Sequence, residues 1–228
     1  MQLFKSITTL LICSSSIFSS SPHVIFENDN SIQIDIIEQN ENYIIINYRM
    51  NDYLLSDYEY DGEIFHQLSI EGEPNHLILG EPDLPHINRS LIIPDYFSSS
   101  VSILDSESIQ VENVNILPSK GNISRNIDID TIPYVKGDIY AQNTFFPSSI
   151  AELHNPYILR DFRGQVVQIN PFLFNPVTGI LEIYTNITVR VDFNGISSIN
   201  PYMNRNDSKA LVYDFDTLYM SHFLNYAT

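Results

Sequence analysis

Chemistry in this chain would have to come from a short set of side chains. Of six histidines, His66, His76 and His86 stand ten residues apart, and neither HExxH nor a paired Cys/His pattern accompanies them. The ligand spacing of a zinc site is therefore missing, and isolated half-buried histidines are expected, with no metal and no cofactor. Cys13 is the only cysteine and falls in an N-terminal apolar stretch; once that stretch is removed, no thiol nucleophile and no disulfide remain. No GxSxG, P-loop or Rossmann glycine string occurs among the eight glycines, which rules out the acyl-transfer and nucleotide signatures. Asp128 and Asp130 are spaced like an acid–base pair, but in a chain with 28 acidic residues solvated loop charge is the simpler account. Arg160, Asp161 and Arg163 form a compact group expected to act as a local ion-pair and hydrogen-bond cluster tying the entry of a hairpin to a neighbouring loop. No catalytic residue emerges, and the chain is not expected to be an enzyme by itself.

The charge balance narrows the partners. Eleven Lys and Arg against 28 Asp and Glu give a formal charge of -17, which repels phosphate backbones and anionic lipid, so no nucleic acid and no membrane surface are expected. Glu27 to Asp83 holds 14 of those carboxylates and one basic residue, Arg49. Met1 to about Ser21 has one lysine, an apolar and serine-rich middle and small residues before Pro22, the layout of a secretory signal peptide. The expected location is secreted or periplasmic.

The elements that would position any site are strands. From Leu181 to Phe193 the residues Leu181, Ile183, Ile187, Val189, Val191 and Phe193 share one parity, and Glu182, Asn186, Thr188, Arg190 and Asp192 the other, as in a half-buried strand. Val166 to Phe174 is a second apolar run, and Asn175-Pro176-Val177-Thr178-Gly179 between them carries turn residues, so the whole predicts one long hairpin at the centre of a sheet. Ser31–Glu38 and Tyr43–Tyr48 predict another hairpin, Ile64–Ile70 and Ile87–Ile93 further strands, and Val101–Ile116 a strand whose parity flips near Asn113 through a bulge or a change of sheet. Asp138–Phe146 is expected to be extended. Residues 118–137, PSKGNISRNIDIDTIPYVKG, lack a period and predict an exposed loop longer than the ~12–15 residues usual for a connection without a task. Lys209–Asn225 has helical spacing, capped by Asp207 or Ser208. The fold class is all-β, an antiparallel jelly-roll-like β-sandwich with a short C-terminal helix. The parts are a signal peptide (1–21), the sandwich (22–206), and a helix with a junction to an absent downstream domain (207–228).

Three segments in fixed order resemble a known family: Gly80-Glu81-Pro82-Asp83-Leu84-Pro85 before a strand ending at Pro94; Pro156-Tyr157 leading to Leu159-Arg160-Asp161-Phe162-Arg163-Gly164; and Pro171-Phe172-Leu173-Phe174-Asn175-Pro176-Val177-Thr178-Gly179. Together they are similar to the propeptide of gingipain-type cysteine peptidases over roughly residues 25 to 226, with Phe223-Leu224-Asn225-Tyr226 like the junction to a catalytic domain. The resemblance implies a secreted prodomain that assists folding of the peptidase, in cis or in trans, and keeps it latent. It also implies a loop that presents a basic side chain to the specificity pocket. By position that loop is 118–137, with Arg125 first, Lys120 second and Lys136 third as inhibitory candidates. The competing reading is a non-catalytic adhesion or carbohydrate-binding module using Tyr53, Tyr58 and Tyr60, although no tryptophan is present for stacking.

Overall fold

In the computed structural model, residues 31–203 and 215–226 are described. The expected signal peptide, the capping residues Asp207 and Ser208, and the first part of the expected helix fall outside them. In chain order the described strands are β1 (Ile32–Gln39), β2 (Tyr43–Met50), β3 (Leu54–Tyr60), β4 (Glu63–Ser69), β5 (Ile87–Ile92), β6 (Phe97–Val111), β7 (Ala151–Leu153), β8 (Tyr157–Leu159), β9 (Phe162–Ile169), β10 (Phe172–Asn175) and β11 (Ile180–Ile196), followed by helix α1 (Asp216–His222).

One antiparallel sheet has β11 as its spine: β2 and β10 pair along one edge and β6 along the other, with β1 beyond β2. The second sheet is built on β9, flanked by β5 on one side and by β7 and β8 on the other. Their inner faces meet in one continuous core that includes Ile46 and Tyr48 of β2, Ile87 and Leu91 of β5, Val167 and Ile169 of β9, and Leu181 to Phe193 of β11. All six apolar residues assigned to one face of β11 by parity are buried, because alternate side chains of a strand must share a face. This is the expected antiparallel β-sandwich.

The predicted long hairpin is only half present. β10 pairs with β11 from Phe172↔Ile183 to Asn175↔Ile180, but β9 lies in the opposite sheet. The chain crosses the core at Asn170 and Pro171. Proline has no N–H to donate to a ladder, and its carbonyl accepts instead from the Tyr184 amide at 2.8 Å, so the break in pairing falls where a donor is already missing. β9 and β11 are the central strands of the two different sheets, and β10 stands at the end of its sheet's order. The parity flip near Asn113 is a change of sheet: β6 ends at Val111, Asn113 adopts φ 60°, and the chain then runs beside β4, where the His66 amide donates to Asn115 O and the Leu117 amide to His66 O. Asp138–Ala141 forms a short 3-10 turn rather than the expected extended segment. The sequence reading also missed β3, an acidic strand with intermediate burial at alternate positions, which closes on β4 through Asp61-Gly62 at φ 53° and 79°. Asp-Gly with both residues left-handed is the type I′ hairpin signal.

The helix is shorter than predicted, and it ends at His222 because the next residues become part of the sandwich. Phe223 bridges to Ser90 in parallel fashion, the Leu224 amide donates to Ser90 O at 3.0 Å, and the Asn225 side chain brackets Ile92, accepting from its amide at 2.7 Å and donating to its carbonyl at 2.9 Å. These contacts cover the free edge of β5. Tyr219, Phe223 and Phe162 make a separate apolar cluster there. A Cβ on Gly164 would stand 2.6 Å from the Tyr157 ring and 2.8 Å from the Phe223 ring, so only glycine lets the C-terminal segment seat on β9.

Arg163 takes the hydrogen-bonding part of the expected cluster, and Arg160 with Asp161 the ion pair. The Arg163 side chain is wholly buried and donates to Pro94 O (2.7 Å), Phe97 O (2.8 Å), Asn200 O (2.8 Å), Ile199 O (2.9 Å) and Ser197 Oγ (3.0 Å). Burial lowers its pKa while Asp95 acts the other way, and the guanidinium stays charged. Arg160, at φ 51°, carries the surface ion pair with Asp161 (3.5 Å), whose carboxylate also accepts from Tyr219 Oη at 2.6 Å. Arg163→Leu removes five hydrogen bonds, so urea unfolding should register a loss of at least ~3 kcal/mol, against ~1 kcal/mol or less for Arg160→Ala. Equal losses for the two variants would contradict this assignment.

Candidate functional site

The loop at 118–137 is held at both ends by one short segment. At its start the Gly80 amide donates to Ser119 O (2.9 Å) and the Ser119 amide to Glu81 O (2.7 Å), with Pro82 bridging Pro118; at its end the Gly137 amide donates to Gly80 O (2.8 Å). A Cβ on Gly80 would lie 3.0 Å from the Gly137 nitrogen, and Gly80 has φ 80°. Two backbones approach this closely only because both residues are glycine. Beyond that root the loop is mostly exposed and includes one 3-10 turn, Ile129–Thr131, capped by the Asp128 carboxylate. The Asp128–Asp130 pair therefore works as a turn cap.

The loop rests on the β3–β4 hairpin. Tyr134 packs edge-on against Tyr58 and Tyr60, with ring centroids 5.8 and 4.9 Å apart, and burial raises its pKa to about 12, with Tyr58 acting in the same direction. Tyr53 is buried against Phe172 instead. Perpendicular and buried rings do not form the flat platform a sugar would stack on. The hairpin is the part that sequence reasoning did not connect with the loop; its Asp61-Gly62 turn was the available signal.

The three loop cations have different situations. Lys120 Nζ lies 4.1 Å over the Tyr134 ring and donates to Ile129 O at 2.9 Å. Lys136 Nζ pairs with Glu63 at 3.0 Å and lies 4.8 Å over the Phe65 ring. Lys120 thus ties the loop to itself, and Lys136 ties it to its β4 support. Arg125 is exposed and has no hydrogen-bond or ion-pair partner among the described residues. It follows Ser124 in a turn closed by the Ile127 amide donating to Ser124 O at 3.0 Å.

Two of the evenly spaced histidines do meet. His76 and His86 stack at 4.5 Å, against Phe146, with His76 Nε2 and His86 Nδ1 buried and unpaired. Burial and the neighbouring His86 bring the His76 pKa down to about 4, and burial also lowers that of His86, with Glu73 and Glu152 opposing and His154 reinforcing the fall. His66 is elsewhere, its Nδ1 accepting from the Asn115 amide at 3.0 Å. Among the described residues no three His, Cys, Asp or Glu converge as a metal site.

The sandwich, its tethered loop and the order of its segments can be compared with known proteins, and the profile of one family, Propeptide_C25, matches residues 26–226. The chain belongs to this family, the gingipain propeptides. Gingipain R1 of Porphyromonas gingivalis is 46% identical over 147 residues, 64% of this chain and 14% of its own length. The chain thus corresponds to a small part of that relative. In the solved complex of the Porphyromonas gingivalis RgpB pro- and mature domains, the similar chain is 32% identical at a TM-score of 0.77, covering 86% of this chain and 98% of its own. A structure describing the zymogenic latency of gingipain K from the same organism matches at 18% identity and a TM-score of 0.63, over 75% of this chain and 97% of its own, which supports the fold alone. As a gingipain propeptide the chain is a non-catalytic prodomain.

The histidine pair gives this propeptide a defined pH response. The unfolded imidazole titrates near 6.5 and folded His76 near 4, so the unfolded state binds more protons between these values. Stability is fully present above about pH 6.5 and declines as pH falls toward 4, by up to roughly 3 kcal/mol from His76. Urea midpoints from pH 7 to 4.5 should fall more steeply for the parent than for His76→Phe; parallel slopes would contradict the pairing.

Proposed function

We propose that this propeptide assists the folding of a gingipain-type cysteine endopeptidase and keeps it latent, by presenting Arg125 to the peptidase's specificity pocket. The observation that carries the proposal is the contrast among the loop cations. Arg125 lies in a turn with its five N–H donors unengaged among the described residues, in the planar fork that matches a carboxylate bidentately. To enter a pocket, Lys120 would have to give up a hydrogen bond and a ring contact, and Lys136 an ion pair and a ring contact. Each would cost about 1–2 kcal/mol, roughly tenfold in affinity. The greater similarity to the RgpB pro-domain than to that of gingipain K favours an arginine-cleaving partner. The partner domain is engaged in cis or in trans, and the layout of residues 1–21 supports export to the periplasm or beyond. No helix among the described residues is long and apolar enough to cross a membrane.

The experiment is inhibition of the gingipain R1 catalytic domain, followed with a small arginyl substrate. Arg125→Ala should raise the inhibition constant about 100-fold, as for a buried hot-spot arginine, and Lys120→Ala and Lys136→Ala by about tenfold or less. Undiminished inhibition by Arg125→Ala would overturn the mechanism.

A further inference from the structure

The segment that roots the loop carries three consecutive exposed apolar side chains. Leu77, Ile78 and Leu79 are 58%, 51% and 66% exposed, and Val135, whose carbonyl approaches Gly80, is 55% exposed. Residues 74–80 hold no Asp, Glu, Lys or Arg, in a chain of formal charge -17. Isolated surface leucines need no explanation, but a contiguous run does. The run is also fixed: the Glu81 amide donates to Ile78 O at 3.2 Å, and a Cβ on Gly121 would meet Leu79 Cβ at 3.1 Å. Leu79 therefore touches the first turn of the loop that displays Arg125.

We infer that Leu77, Ile78 and Leu79, with Val135, form an apolar docking platform for the catalytic domain of the peptidase, beside the arginine that enters its pocket. The inference rests on the reading under Proposed function and adds to it the surface that holds the two domains together outside the pocket. Continuity with the loop selects this occupant: a peptidase that receives Arg125 must lie against the loop's root, because both ends of the loop are pinned there. An uncharged apolar centre next to an arginine, with Lys120, Lys136 and Glu81 nearby in the chain, has the composition of an interface core with a charged rim. The fixed backbone means that little ordering entropy is lost on docking.

The test uses the full chain and the gingipain R1 catalytic domain, once with its active site open and once blocked by an arginyl chloromethyl ketone. Leu77→Ser/Ile78→Ser/Leu79→Ser and the single variant Leu79→Ser should keep the parent urea midpoint. The triple variant should lose tenfold or more in affinity for both forms, as expected from truncating apolar anchors. Arg125→Ala should lose affinity for the open form only. The platform is overturned if the parent does not bind the blocked peptidase, or if the triple variant binds both forms as the parent does. It is equally overturned if sedimentation shows that these residues pair two copies of the chain and leave peptidase binding unchanged. If Arg125→Ala inhibits normally while the triple variant does not, the arginine mechanism fails and the platform stands.

Discussion

The guanidinium of Arg163 is the interaction on which the end of the sandwich depends. Five acceptors from two separate stretches, Pro94 and Phe97 on one side and Ser197, Ile199 and Asn200 on the other, converge on one planar group. Pro94 and residues 197–200 lie outside the strands, and Phe97 is the first residue of β6, so these carbonyls have little or no ladder to satisfy them. Without the arginine the Pro94, Phe97 and Asn200 carbonyls would lose this donor, at ~1–3 kcal/mol each, while Ile199 O would keep its bond from Ser197 Oγ at 3.1 Å. A lysine could not replace it, because an ammonium has three donors and no planar fork. The same strand places Phe162 and Gly164 on either side, where they receive Tyr219 and Phe223. The C-terminal segment therefore closes over a site that Arg163 holds in shape.

From there the architecture follows from two long central strands. β11 supplies one sheet with a face of alternating apolar residues, and β9 supplies the other, and the two are joined covalently through Asn170 and Pro171. A short covalent crossing between the sheets fixes their separation and relative position, so the core between them packs as one unit. The loop region sits outside this core. Its root is bound by backbone hydrogen bonds to 80–82 and its body by aromatic contacts to β3 and by Lys136 to β4, interactions individually worth ~0.5–1.5 kcal/mol.

The molecule thus divides into a scaffold and a loop region held by different kinds of interaction. The scaffold is stabilised by burial, which is insensitive to a single contact, whereas the presented region depends on a few polar and aromatic contacts around one hairpin. Two of the three loop cations contact the loop or its support, whereas Arg125 has no hydrogen-bond or ion-pair partner among the described residues. The stacked pair His76–His86 makes the scaffold itself weaker in acid, since protonation would place like charges in a buried contact.

Local pattern was enough to determine much of this from the sequence. Alternation fixed the buried face of β11 residue by residue, proline and glycine marked the turns, and the absence of a catalytic constellation was a matter of residue inventory. The order of the Gly80–Pro85, Leu159–Gly164 and Pro171–Gly179 segments was enough to identify the family. What tertiary structure decided depended on partners distant in the chain. Val166–Phe174 reads as a single strand locally, and only the sheet each half joins divides it at Pro171. Arg160, Asp161 and Arg163 look alike in a charged string, yet strand geometry points Arg163 inward to five acceptors and leaves Arg160 outside. The loop cations were equivalent in sequence and became unequal only because Tyr134 and Glu63 lie close to two of them. Side-chain parity is a property of neighbours along the chain, whereas hydrogen-bond satisfaction is a property of neighbours in space.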